Sequence, residues 1–164
     1  MKRMIFGATV SVARMAAGAA NAQDIKIGVL YPTSGGGAIY GGPAMEGHNL
    51  AVEEINANGG INGRKLVTFA RDTKLNPSAA ASAAKELVTK DGVDMLIGGL
   101  SSAVGLAISE VAKQEGVVYI ATIPKTIQMT TSNMHPHVVR TAYHTQLDGH
   151  ANPPLGTHEG GQRD

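Results

Sequence analysis

The 164-residue chain carries 14 basic and 13 acidic residues, a formal charge of +1, with 43% hydrophobic and 16% charged residues. Its length allows one domain of ordinary size, and its composition excludes both a disordered chain and a multi-span membrane protein. No run of Lys or Arg marks the body, which excludes a nucleic-acid partner, and without Cys there is no disulfide, Cys-based zinc site or thiol catalysis. Gly is abundant, at 21 residues, while aromatics are only 4%. That make-up suits an α/β domain with close backbone turns better than an aromatic-cored sandwich.

The first 22 residues read as a secretory signal. Met1-Lys2-Arg3 is a short basic start, Met4 to Val10 is apolar, and Ala20-Asn21-Ala22 has the A-x-A form of a signal-peptidase site. Removing residues 1–22 takes away Lys2, Arg3 and Arg14 and no acid, which turns the charge from +1 to −2. No direct membrane insertion is expected once the signal is removed.

From Asp24 the chain alternates strand and helix. Ile25 to Tyr31 is a buried strand ending in Pro32 and a Gly cluster. Gly41-Gly42-Pro43 opens a helix with Pro in its first turn. That helix runs to about Asn58, with Ala44, Ala51 and Ile55 on one face and Glu46, Glu53 and Glu54 on another. The Gly59–Gly63 turn stops it, and a second strand follows over 65–72. Asn76-Pro77 starts the next helix, whose core stripe is Ala80, Ala84, Leu87 and Val88. Val93–Gly98 is the third strand, and Ser101-Ser102 leads into a helix that buries Val104, Ala107, Ile108 and Val111 and ends at Gly116. Val117–Ala121 is the fourth strand and His137–Tyr143 a fifth. The pattern predicts a doubly wound, Rossmann-like α/β fold, a mostly parallel sheet with helices on both faces. Ligands of such sheets lie beyond the carboxyl ends of the strands, at the loops 32–42, 98–102 and 122–130.

Nucleotide motifs fail on inspection. Gly35-Gly36-Gly37 follows the first strand, but Tyr40 stands at the third fingerprint position and no acid sits about 20 positions later at a second strand end. No Gly-Lys-Ser/Thr follows any glycine cluster, so no P-loop exists. Ser101-Ser102 has two readings: a plain N-cap, or donors that hold an anionic group at a helix start. Five of the six His (His135, His137, His144, His150 and His158) fall in the last thirty residues without metal-ligand spacing, and read as solvated loop histidines. Neither a metal, a cofactor nor a catalytic constellation is expected.

The order of segments resembles the first lobe of type I periplasmic solute-binding proteins, in particular the branched-chain amino acid (leucine/isoleucine/valine)-binding family of ABC transporters. The matching stretches are Ile25-Lys26-Ile27-Gly28-Val29, Tyr40-Gly41, Gly47 with Ala51-Val52-Glu53-Glu54-Ile55-Asn56, and Gly59-Gly60-Ile61-Asn62-Gly63-Arg64. Asp72, Asn76-Pro77, Ile97-Gly98-Gly99-Leu100-Ser101-Ser102 and Val139-Arg140-Thr141 continue it. The resemblance implies a periplasmic receptor, not an enzyme, that captures an amino acid or small carboxylate and delivers it to a membrane permease. It also implies that Ser101 and Ser102 grip the ligand carboxylate and that Ile123 and Thr126 supply a carbonyl and a hydroxyl. Tyr40 would lie against the ligand side chain. Lys125 stands where the family usually has that Thr, with Thr126 one position late, and reads either as a point charge for a carboxylate or as a solvated loop residue.

Family members run to more than twice this length, so residues 23–143 are expected to form one N-terminal lobe. Residues 144–164 read as an irregular tail, and the whole as an incomplete fragment with impaired binding. Two other classes share the outline. One is a sensory ligand-binding module feeding a membrane partner. The other is a small-carboxylate enzyme, which would need Asp72 or Lys125 as its acid or base. The leader reading makes a direct prediction: mass spectrometry of periplasmic material will show a chain beginning at Gln23, and an intact Met1 there would refute it.

Overall fold

The computed structural model describes residues 23–147; the leader expected at 1–22 and the chain from residue 148 onward lie outside them. Five strands form one sheet: β1 (Ile25–Tyr31), β2 (Leu66–Asp72), β3 (Met95–Gly98), β4 (Val118–Ala121) and β5 (Val138–Arg140). Three helices connect them: α1 (Ala38–Ala57), α2 (Pro77–Glu86) and α3 (Ser102–Glu115). The order is β2-β1-β3-β4-β5 and every pairing is parallel. β1 pairs with β2 along its full length, and its middle, Ile27–Leu30, pairs with Met95–Gly98. This is the doubly wound fold the sequence pattern predicts.

The two faces are covered unequally. On one side α2 and α3 pack Ala80, Ala83, Ala84, Leu87, Val104 and Ile108 against Leu30, Leu96 and Tyr119. Small residues let these two helices lie close together, and each fully buried Leu adds about 1.5–3 kcal/mol relative to exposure. Leu87–Asp91 widens into a π turn that Gly92 closes in the left-handed region, at φ 64°. On the other side α1 packs Ala44, Met45, Val52 and Ile55 over Ile27, Val29, Tyr31 and Leu66. Farther along that face Val118 remains 40% and Val139 52% exposed.

Three expectations need correction. α1 begins at Ala38, continuing directly from the 3-10 turn Gly35–Gly37, so Pro43 lies inside the helix and not in its first turn. There it withholds the N–H that would have met the Ile39 carbonyl. Ala51 is exposed, because the packed face of α1 is turned toward Met45 and Val52. The fifth strand is shorter than 137–143, keeping only Val138–Arg140.

Gly41 sets how closely α1 approaches the sheet. A Cβ there would stand 1.9 Å from the carbonyl oxygen of Pro32. Helix propensity alone would make Gly41→Ala stabilising by about 0.5–1 kcal/mol, whereas forcing α1 off Pro32 costs about 1–3 kcal/mol. Urea unfolding of Gly41→Ala will therefore show a lowered midpoint, and a raised one would refute the close approach.

Candidate functional site

The connection from β1 runs to β2 on one side and that from β2 runs back past β1 to β3 on the other. The β1/β3 border is thus the topological switch point, where loops leave in opposite directions and open a crevice beyond the strand ends. At its centre the chain turns at Gly98 and Gly99, with φ of 124° and 84°. A Cβ on Gly98 would stand 2.4 Å from the Leu30 carbonyl oxygen, and Gly99 donates its N–H to that oxygen at 2.7 Å. The buried Tyr119 hydroxyl donates to the Gly98 carbonyl at 3.0 Å, and burial pushes its pKa far above the ordinary tyrosine range. Tyr31 and Thr122 share a 2.8 Å hydroxyl bond from β1 to the end of β4. Together these contacts brace the floor of the crevice.

α3 starts at this floor. Ser101 is its N-cap, in extended conformation, and its Oγ accepts the Val104 N–H at 3.3 Å. Ser102 follows as an exposed first-turn residue, and no acid lies in that turn. The first N–H groups of a helix have no partner within it, so this end presents donors and a positive dipole end to the crevice.

The loop after β4 carries the other expected residues at the same edge of the sheet. Ile123 packs partly buried against the α1-side cluster. Lys125 donates from Nζ to the Tyr143 hydroxyl at 2.8 Å and lies 4.1 Å over its ring. Thr126 caps the 3-10 turn Ile127–Thr130 by accepting the Gln128 N–H, and its carbonyl accepts Arg140 Nη1 at 2.6 Å. Tyr40 sits in the first turn of α1, 60% exposed. The structure therefore places Tyr40, Ser101, Ser102, Ile123, Lys125 and Thr126 at one sheet edge, while pairing Lys125 with Tyr143 and Thr126 with Arg140.

Asp72 contributes more than the sequence reading gave it. Its carboxylate accepts the Ser34 hydroxyl at 2.5 Å, the Thr33 N–H at 3.0 Å and the Lys74 N–H at 2.8 Å. These bonds tie the loop after β1 to the end of β2. The Ser34 bond, followed by the backbone donors, holds the Asp72 carboxyl below the ordinary aspartate range against an opposing desolvation. A visible signal existed, since an acid at the end of a strand beside a Thr-Ser-Gly loop is a natural Asx acceptor. His135 also departs from expectation: it is partly buried and bonded to Ser109, not solvated. His150 and His158 lie outside the described residues. Among the described residues no three His, Asp or Glu side chains gather closely enough to hold a metal ion. An open recess of about 430 Å³, lined by Ala51, Glu54, Ile55, Asn58 and Gly60, lies at the far end of α1, away from these loops.

The geometry has close counterparts. The periplasmic binding protein family model matches residues 24–154. Leu/Ile/Val-binding protein homolog 7 of Brucella abortus (strain 2308) is 41% identical over 111 residues, covering 67% of this chain and 28% of the relative. Homolog 8 of Brucella suis biovar 1 (strain 1330) is 38% identical over 120 residues, covering 73% and 30%. Among solved structures, LivJ from Streptococcus pneumoniae in complex with isoleucine superposes with a TM-score of 0.70 at 31% identity, over 74% of this chain and 34% of that one. A leucine-binding protein, LivK, from Thermotoga maritima MSB8 gives 0.71 at 28% identity, over 77% and 35%. The chain belongs to the periplasmic binding protein family, and it spans under a third of the length of these curated relatives.

The Asp72 lock is testable by pH. A carboxyl whose folded pKa is depressed contributes stability above its unfolded value and loses it as pH falls through the folded one. Asp72→Ala will cost about 1 kcal/mol at neutral pH, since solvent screens these bonds. The difference from the parent in urea unfolding will shrink below about pH 4. A gap that persists unchanged into acid would refute a charged lock.

Proposed function

We propose that this chain is the N-terminal lobe of the substrate-binding component of an ABC importer for branched-chain or related amino acids and small carboxylates. The observation that carries the reading is the start of α3. Ser101 and Ser102 present hydroxyls and first-turn N–H groups beyond the carboxyl end of β3, at the switch point, in a chain of this family. Its chemistry is capture and release, with no bond made or broken, so the chain is not an enzyme. The partners are an amino acid and, for delivery, a membrane permease. Periplasmic placement follows from the leader reading and the family. No helix among the described residues is long and apolar enough to cross a membrane.

One lobe supplies half of such a site. Pockets for small ligands bury about 70–90% of the ligand surface, whereas Tyr40 and Ser102 here face solvent. Two unit charges 4 Å apart in water interact by about 1 kcal/mol, well below the ~4–15 kcal/mol needed to immobilise a ligand. The chain alone will therefore bind leucine, isoleucine or valine at about millimolar affinity or weaker in calorimetry. Joined to the remainder of the Brucella abortus relative, it will bind one of them tightly. In that chimaera Ser102→Ala removes one bond to a carboxylate and weakens binding about ten- to hundredfold. Micromolar binding by the single lobe, or unchanged affinity in Ser102→Ala, would refute the respective part.

A further inference from the structure

His135 stands in the connection between β4 and β5, where its ring joins two elements. Its Nε2 lies 2.8 Å from Oγ of Ser109, an α3 residue only 3% exposed. Its Nδ1 accepts the backbone N–H of His137 at 3.3 Å. An N–H can only donate, so Nδ1 holds a lone pair, the ring is neutral, and the Nε2 proton is donated to Ser109. The His137 carbonyl then accepts the Tyr119 N–H at 2.8 Å, which seats β5 on β4. At the other end of this three-residue strand Arg140 sends Nη1 to the Thr126 carbonyl and, at 2.8 Å, Nη2 to the Thr130 hydroxyl. These bonds make one path from α3 through His135 and β5 to the turn at 126–130.

We propose that His135 is a pH-sensitive latch that positions β5 and, through Arg140, the Thr126–Thr130 part of the candidate ligand loop, and that acidification opens it. Protonation would place a hydrogen on Nδ1 facing the His137 N–H, so two donors would meet where one bond had been. The groups facing the ring are Glu110 and Lys113 from α3 and His137 from its own connection. Burial chiefly, then His137 and Lys113, disfavour the imidazolium; the Ser109 contact and Glu110 oppose them, and the net direction is a lowered pKa. The Tyr119 hydroxyl of β4 is committed to Gly98. The open form thus takes up a proton more readily than the closed one, so the latch holds above the ordinary histidine range and loosens as pH falls through it. A short edge strand belongs to the low-stability end of a fold, where such openings are cheapest.

The latch deepens the ligand-capture reading and rests on it only for the purpose of the loop. Amide exchange is measured without ligand, so failure of either idea leaves the other standing. The probe is hydrogen exchange on the full chain, corrected for intrinsic rates, between about pH 7.5 and pH 5.5. Protection at 126–131 and 138–141 will fall by up to about tenfold per pH unit below the ordinary histidine value, while β1 and β2 hold. In His135→Asn the amide oxygen accepts the His137 N–H at every pH, and the fall will vanish. No fall in the parent chain overturns the proposal, as does an equal fall in the variant. So does a loss spread evenly through α1, where burial also lowers the pKa of His48. Nuclear magnetic resonance titration of the parent chain gives a test free of variants: the His135 ring and the Thr130 and Arg140 amides will share one midpoint, and separate midpoints overturn the coupling.

Discussion

Everything at the candidate site depends on how closely β3 approaches β1 as both strands end. The Leu30 carbonyl takes the Gly99 N–H, and the space beside Gly98 is too tight for any Cβ. Two successive positive φ angles then swing the chain out of the sheet, so that α3 begins over the crevice and not beyond it. A side chain at Gly98 would push β3 away from β1, and one at Gly99 would strike the Tyr119 hydroxyl that braces the turn. The anion-friendly helix start is therefore a consequence of backbone packing beneath it. The serines occupy a position that the glycines create.

The same sheet is covered unevenly. A parallel sheet is normally buried on both faces, yet α1 reaches only the β1–β2 half of its side. The register sets Met95 beside Val118 and Ile120 beside Val139, so the exposed valines form a contiguous apolar strip with their neighbours. With β5 only three residues long at the edge, its pairing with β4 is the shortest in the sheet, and local opening is cheapest at such an end. The loop at Thr126–Thr130 is held by that end through Arg140.

Much of this was legible from the chain. Strand and helix alternation, the α2 and α3 stripes and the sheet end at which the loops after β1, β3 and β4 gather all follow from period and turn chemistry, because these report local geometry and burial together. The start and packed face of α1 were not legible. Gly41 and Gly37 are silent in a hydrophobic pattern, although the absence of their side chains is what lets α1 begin early and lie against Pro32. Partners far apart in sequence were hidden as well. Lys125 and Tyr143, Ser109 and His135, and Asp72 and Ser34 meet only because the topology folds their loops together, and no spacing rule connects them.

The two readings of Ser101, as helix cap and as ligand contact, are compatible once donors and acceptors are counted. A hydroxyl has one proton to give and lone pairs to receive. Ser101 Oγ receives the Val104 N–H and Thr126 Oγ1 receives the Gln128 N–H, so capping uses a lone pair of each and leaves each proton to be donated. The caps fix where those oxygens lie, which lowers the entropy cost of using them on a ligand. Lys125 differs, because its ammonium is drawn toward Tyr143 and away from service as a simple point charge. A carboxylate at this edge would thus be met by oriented hydroxyls and first-turn N–H groups, with no acid in that turn to repel it. Such donors gain their strength only where water is excluded, so a carboxylate held here would depend on a covering surface as much as on the serines.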